Sequence, residues 1–289
     1  MSLASSELIL NPDGSIYHLN LLPEDIGETI ITVGDPDRVK SVSKYFDTIE
    51  VKKGKREFVT HTGLLNGKRI SVISTGIGTD NIDIVLNELD ALVNIDLKQR
   101  EIKLQKTPLD IVRIGTSGSL QAHIPVDSFL MSKYAIGFDS LLHYYRSENI
   151  QHTDIQEALI LHTSWRQDMS RPYVVSFDND LGLKLSSEMI YSGMTGTNVG
   201  FYGPQGRVLR LHITDESLND KLASFDHNGL KITNLEMETA GIYGLSKLLG
   251  HRAVSLNCII ANRANGTFSE NPKLAVDRLI KYTLEKLTS

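Results

Sequence analysis

Gln205 and Arg207 stand two residues apart in the run Phe201-Tyr202-Gly203-Pro204-Gln205-Gly206-Arg207, just after a turn built by Gly203 and Pro204. A side-chain amide carries a donor and an acceptor, whereas a guanidinium carries only donors in a planar fork. Together they complement a ligand edge that alternates carbonyl, N–H and carbonyl, as uracil does. Such a pair is a weak signal alone and gains its force from anion-binding residues upstream and acidic residues downstream.

Three glycine-containing strand ends offer anion contacts. In Gly34-Asp35-Pro36-Asp37-Arg38, Asp35 suits a helix cap, Pro36 a first helical turn, and Gly34 a close backbone approach. Capping explains much of that motif, and Arg38 is then either solvated or aimed at an anion. Ser74-Thr75-Gly76-Ile77-Gly78 is no Walker loop, because no Gly-Lys-Ser/Thr follows. Tight strand–helix packing accounts for it as well as ligand contact does. Val112-Arg113-Ile114-Gly115-Thr116-Ser117-Gly118 places an arginine in an apolar strand, which requires an anion or a carboxylate opposite it. Thr116 and Ser117 add hydroxyl donors beside it. Arg56, in Lys52-Lys53-Gly54-Lys55-Arg56-Glu57, reads as part of a solvated basic turn.

The segment Asn234-Leu235-Glu236-Met237-Glu238-Thr239 begins a helix. Its glutamates favour the helix dipole, a sufficient structural reason for them. Carboxylates there also suit the vicinal hydroxyls of a ribose and positive charge developing at an anomeric carbon. Met237 packs on a sugar face or serves as core filler.

The elements that carry these residues alternate in the manner of a wound α/β fold. Strands are expected at Thr29–Val33, Asp110–Gly115, Ser128–Tyr134 and Ala253–Ala261, with a hairpin joining Phe58–Leu65 to Lys68–Ser74 across Asn66-Gly67. Ile82, Val85, Leu86, Leu89, Leu92 and Val93 form one helical stripe within Asp80–Leu97. A second helix runs from Met237 to Leu249 with Gly250 as its stop, and Pro272 opens a terminal helix. Lys98–Pro108 is charged, without clear period, and reads as an exposed elaboration.

Composition narrows the function class. With 30 Lys and Arg against 35 Asp and Glu the net charge is −5, which argues against sequence-independent nucleic-acid binding. The single cysteine, Cys258, excludes an intramolecular disulfide and a thiolate metal cluster, and its apolar surroundings suggest a buried, inert thiol. No apolar stretch is long enough for a membrane span, and Met1–Asn11 lacks a signal-peptide pattern, so a cytoplasmic location is expected.

In their order along the chain, Gly-Asp-Pro-Asp-Arg, Ser-Thr-Gly-Ile-Gly, Arg-Ile-Gly-Thr-Ser-Gly, Phe-Tyr-x-x-Gln-x-Arg and Glu-Met-Glu resemble the nucleoside phosphorylase family, and most closely its uridine-cleaving branch. The likeness spans about His18 to Arg263. It implies one α/β domain over residues 1–289, with a central mixed, barrel-like sheet ringed by helices. The implied activity is that of a pentosyltransferase of pyrimidine salvage: reversible phosphorolysis of uridine to uracil and ribose 1-phosphate. Inorganic phosphate is the co-substrate, and no organic cofactor is implied. Active sites would be shared across a homodimer, and bacterial relatives often assemble as trimers of dimers.

By the same resemblance Gly34, Arg38, Arg113 and Thr116 would bind phosphate, with Arg56 supplied by the neighbouring subunit. Glu236, Met237 and Glu238 would hold ribose, and His18 would reach its 5′-hydroxyl across the interface. Gln205 and Arg207 would read uracil, Phe201 would pack beside the nucleoside, and Arg263 would lie near the base. Purine-cleaving relatives carry a Ser-Asp pair at that last position. Arg113, Arg207, Gln205 and Glu238 are the residues expected to carry the rate. Asn81 falls where relatives with a monovalent cation site have a serine, so no metal is expected. Gly203-Pro204 inverts the order usual in one bacterial branch, and Leu235 replaces a familiar aromatic.

Overall fold

The computed structural model describes residues 2–289. After an N-terminal arm, strand β1 (Thr29–Val33) is buried throughout. Helix α1 (Pro36–Ser43) starts as its sequence requires, with the Asp35 side chain accepting from the Asp37 N–H at 2.9 Å. Strands β2 (Thr48–Lys55), β3 (Phe58–Leu65) and β4 (Lys68–Ser74) form an antiparallel meander, and Asn66-Gly67 makes the β3–β4 turn.

Helix α2 (Thr79–Asn94) buries Ile82, Val85, Leu86, Leu89 and Leu92, while Val93 is only partly covered. It ends three residues before the expected Leu97. Ile95 turns extended and the short strand β5 (Ile95–Asp96) pairs with β6 (Glu101–Ile102). The charged elaboration is therefore a small exposed hairpin, and from it Arg100 donates to the carbonyls of Leu3, Ala4 and Leu8.

Strand β7 (Asp110–Ser119) extends four residues beyond expectation. Strand β8 (Phe129–Gly137) follows, then helix α3 (Thr153–Thr163), strand β9 (Tyr173–Ser176), helix α4 (Asn179–Leu185) and strand β10 (Ile190–Thr197). Beyond the Phe201–Arg207 loop lie helix α5 (Leu218–Ser224), short strand β11 (Asp226–His227) and strand β12 (Leu230–Glu236). Helix α6 (Thr239–Leu249) ends at Gly250 with φ 81°, the left-handed stop its sequence announces. Strand β13 (Arg252–Asn262), short strand β14 (Thr267–Phe268) and helix α7 (Pro272–Thr288) complete the chain.

One mixed sheet runs β11-β12-β10-β8-β13-β7-β1-β4-β3-β2. A further antiparallel pairing of β12 with β7, Asn234 opposite Ser119 and Leu235 opposite Gly118, closes five of these strands into a ring. The barrel-like part is thus β7-β13-β8-β10-β12, with β1 to β4 as an open wing. This closure explains the extra length of β7, whose last residues serve both β13 and β12. Helices α2 and α6 cover one core, and α1, α4 and α7 cover another.

Candidate active site

Ligands of wound sheets gather at the carboxyl ends of strands. Here the ends of β1, β4, β7, β12 and β13 surround a cavity of about 660 Å³, lined among others by Gly34, Arg38, Gly76, Arg113, Thr116, Phe201, Gln205, Arg207, Met237 and Glu238. The chain thereby brings together nearly all the residues singled out in the sequence.

Arg113 is 5% exposed and central. Its Nη2 lies 2.5 Å from a Glu238 carboxylate oxygen and 3.1 Å from one of Glu236, and its Nη1 donates to Asn257 Oδ1 at 2.9 Å. Gly115 makes this possible. It projects to the same face two residues on, and a Cβ there would lie 1.8 Å from the Arg113 Nη1. Carboxylates thus meet the buried arginine, one of the two kinds of partner expected for it. Arg38 faces the same space from the first turn of α1, donating a long bond of 3.4 Å to the Ile114 carbonyl. Burial, and then the Arg113 charge, push its pKa down, so a dianion between the two guanidinium groups would relieve both.

The two glutamates divide their roles. Glu236 accepts from the Thr197 hydroxyl at 2.6 Å and from the N–H groups of Glu238 and Thr239 at 3.0 Å each. It caps α6, which is why that helix begins at Thr239 rather than at Met237, and its oxygens are committed to protein partners. Glu238 accepts from the Gly78 N–H at 2.9 Å and from Arg113, and Met237 stands beside it on the cavity wall. Burial pushes the Glu238 carboxyl above its ordinary range, against the opposing pull of Arg113.

At the far end, Arg207 stacks over the Phe201 ring with 3.8 Å from its guanidinium carbon to the ring centroid. It donates to the Phe201 carbonyl at 2.6 Å and to Gln205 Oε1 at 2.7 Å. Gln205 is buried, and both side chains line the cavity. Burial, and next the Arg263 charge, lower the Arg207 pKa. Arg263 does not line the cavity. It sits behind the loop and donates to the carbonyls of Gln205 and Gly206, so it holds the reading edge rather than forming it.

Two residues are not brought to this chain's own cavity. Arg56 is exposed at the β2–β3 turn, and His18 is held in the N-terminal arm by Glu88. Sequence reasoning missed Asn257, Thr197 and the Gly78 amide. Ser255 and Asn257, polar residues on one face of an apolar core strand, were a readable signal for the first. Cys258 is buried as expected, and burial pushes its thiol up to about 12.

The model of the phosphorylase superfamily matches residues 28–287. A uridine phosphorylase of Thermococcus kodakarensis is 28% identical over 273 residues, 92% of this chain and 84% of that protein. A DeoD-type purine nucleoside phosphorylase of Shewanella oneidensis is 25% identical, over 93% of this chain and 97% of its own. Among solved structures, a Trypanosoma brucei nucleoside phosphorylase described as showing uridine phosphorylase activity superposes with a TM-score of 0.88 at 29% identity, covering 97% of this chain and 99% of that one. A match over nearly the whole length, on the fold and the cavity just described, leaves one conclusion: the chain belongs to the phosphorylase superfamily.

Proposed function

We propose that this protein catalyses the reversible phosphorolysis of uridine to uracil and ribose 1-phosphate. The observation that carries the proposal is one cavity lined together by the guanidinium groups of Arg38, Arg113 and Arg207, the Glu238 carboxylate and the Gln205 amide. Phosphate sits between Arg38, Arg113 and the Thr116 hydroxyl, with the Gly34 backbone close by. Ribose lies over Met237 with its hydroxyls on Glu238, and uracil meets Gln205 and Arg207 beside Phe201.

Phosphate oxygen attacks the anomeric carbon as the glycosidic bond lengthens. The sugar's positive charge is offset by that anion and by Glu238, and negative charge growing on uracil is met by Arg207. Positioning and fixed charges therefore supply the rate. Arg56 and His18 complete the site from a second subunit, Arg56 on phosphate and His18 on the 5′-hydroxyl, so the working unit is a homodimer.

Relatives of both base specificities resemble this chain, so the Gln205–Arg207 edge decides between them. Its donors suit the carbonyl oxygens of a pyrimidine, and by the family resemblance Arg263 takes the place of the Ser-Asp pair of purine-cleaving enzymes. Assays of uridine and inosine, each with and without phosphate, test the reading. Phosphate-dependent uracil release that outpaces inosine cleavage is expected. Faster inosine cleavage indicates a purine enzyme, phosphate-independent cleavage a nucleosidase, and binding without cleavage a nucleoside sensor.

A further inference from the structure

We infer that Glu88 is a positioning residue that fixes the tautomer and direction of His18, so that the His18 Nε2 is the atom presented to the 5′-hydroxyl of a nucleoside in the neighbouring subunit. The inference rests on the reading of His18 given above. Its geometry is independent of that reading.

One carboxylate gathers three donors from the N-terminal arm. His18 Nδ1 lies 2.6 Å from Glu88 Oε1, the His18 N–H is 3.0 Å from each oxygen, and the Leu19 N–H is 2.9 Å from Oε2. An ionised carboxylate only accepts, so Nδ1 carries the proton in this pairing. In the neutral ring Nε2 is then the bare acceptor. Among the described residues Nε2 has no hydrogen-bond partner, and the side chain keeps 26% of its surface exposed. A ribose hydroxyl can donate its proton to such an acceptor.

The surroundings hold the ring on its other sides. Tyr17 packs edge-on at 4.8 Å between centroids, and Phe58 at 6.5 Å. Lys55, next to Arg56, donates to the Tyr17 carbonyl at 2.6 Å and to Asn11 Oδ1 at 2.9 Å, and lies 4.1 Å over the Tyr17 ring. The arm bearing His18 and the turn bearing Arg56 are thereby tied together. Glu88 itself is on α2, the helix preceded by Gly78, whose N–H holds Glu238. Ten residues of helix, about 15 Å, separate the two contacts. His18 is not among the residues that line the cavity of its own chain.

Two measurements test this. Nitrogen-15 NMR of the histidine rings in the wild-type protein reads the tautomer directly, with a protonated Nδ1 and a bare Nε2 expected for neutral His18, and mixed tautomers in Glu88→Gln. Kinetics with uridine and 5′-deoxyuridine then read the consequence. The ratio of their kcat/KM values should fall on the order of tenfold in both His18→Ala and Glu88→Gln, the worth of one hydrogen bond. The kcat/KM for 5′-deoxyuridine should stay near wild type in Glu88→Gln.

A protonated Nε2 in the wild type overturns the inference. So does an unchanged ratio in Glu88→Gln while His18→Ala collapses it. Absence of phosphate-dependent uridine cleavage by the wild-type protein would sink the functional reading instead, and the ring tautomer would still decide the role of Glu88.

Discussion

Replacing Arg113 by methionine removes the guanidinium yet keeps an unbranched stem in the space Gly115 leaves open. In the native protein that group is almost completely buried, 2.5 Å from Glu238 and 3.1 Å from Glu236. Without it, two buried carboxylates face each other with no cation between them. Deleting one partner of a buried ion pair costs about 3–5 kcal/mol, which in a domain of this size lowers Tm by on the order of 10 °C.

The deficit should depend on pH, and its sign follows from Glu238. Burial already holds its carboxyl above the ordinary range, and Arg113 is the largest influence opposing that shift. A carboxyl raised in the folded state binds more protons there than when unfolded, so stability falls as pH rises through the window between the two values. Arg113→Met extends that window upward, and the Tm deficit should be larger near neutrality than in mild acid. Scanning fluorimetry across that pH range, with phosphorolysis rates near neutrality, reads both effects. Turnover should drop on the order of a hundredfold or more, as when an oxyanion donor is lost. Adding Glu238→Gln to Arg113→Met should recover part of the Tm and none of the rate. A deficit independent of pH would refute the electrostatic argument, and near-normal turnover would remove Arg113 from the reaction.

Other outcomes follow from the remaining contacts. Arg207→Ala should lower kcat/KM for uridine roughly 10²- to 10³-fold, measured by uracil absorbance, because charge on the departing base loses its donor. Arg263→Met should act through the Gln205 carbonyl and cost roughly tenfold or more by misplacing the reading edge, seen mainly in KM. Mixing inactive Arg56→Ala and Arg207→Ala proteins after subunit exchange should restore roughly a quarter of wild-type activity, since half the dimers are mixed and each has one intact site. No recovery would speak against shared sites. Cys258, with its thiol pushed up to about 12 by burial, should resist iodoacetamide in the native protein and react once unfolded, as mass spectrometry will show.

Local signals were the ones legible in the sequence. Asp35 and Pro36 start α1, Asn66-Gly67 turns the hairpin, and Gly250 stops α6, because each is dictated by a few adjacent backbone groups. The cavity's glycines and arginines were likewise visible in short motifs. What escaped depends on contacts between distant segments. Ring closure of β12 on β7 joins segments more than a hundred residues apart, and it lengthened β7 past its apolar stretch. The early end of α2 came from pairing with Glu101–Ile102, which no helical period foretells. The Glu-Met-Glu motif hid a division of labour, since Glu236 turns inward to cap α6 only because Thr197 and two backbone N–H groups await it. The hold of Glu88 on His18 joins residues seventy positions apart and shows in the local sequence of neither.

Phosphorus-31 NMR of wild-type protein with uridine and inorganic phosphate tests the central claim most directly. The phosphate resonance should decline as a ribose 1-phosphate resonance grows in step with uracil release, and added ribose 1-phosphate and uracil should drive the reaction backward. Uracil appearing while the phosphate signal stays constant would contradict an attack by phosphate between Arg38 and Arg113.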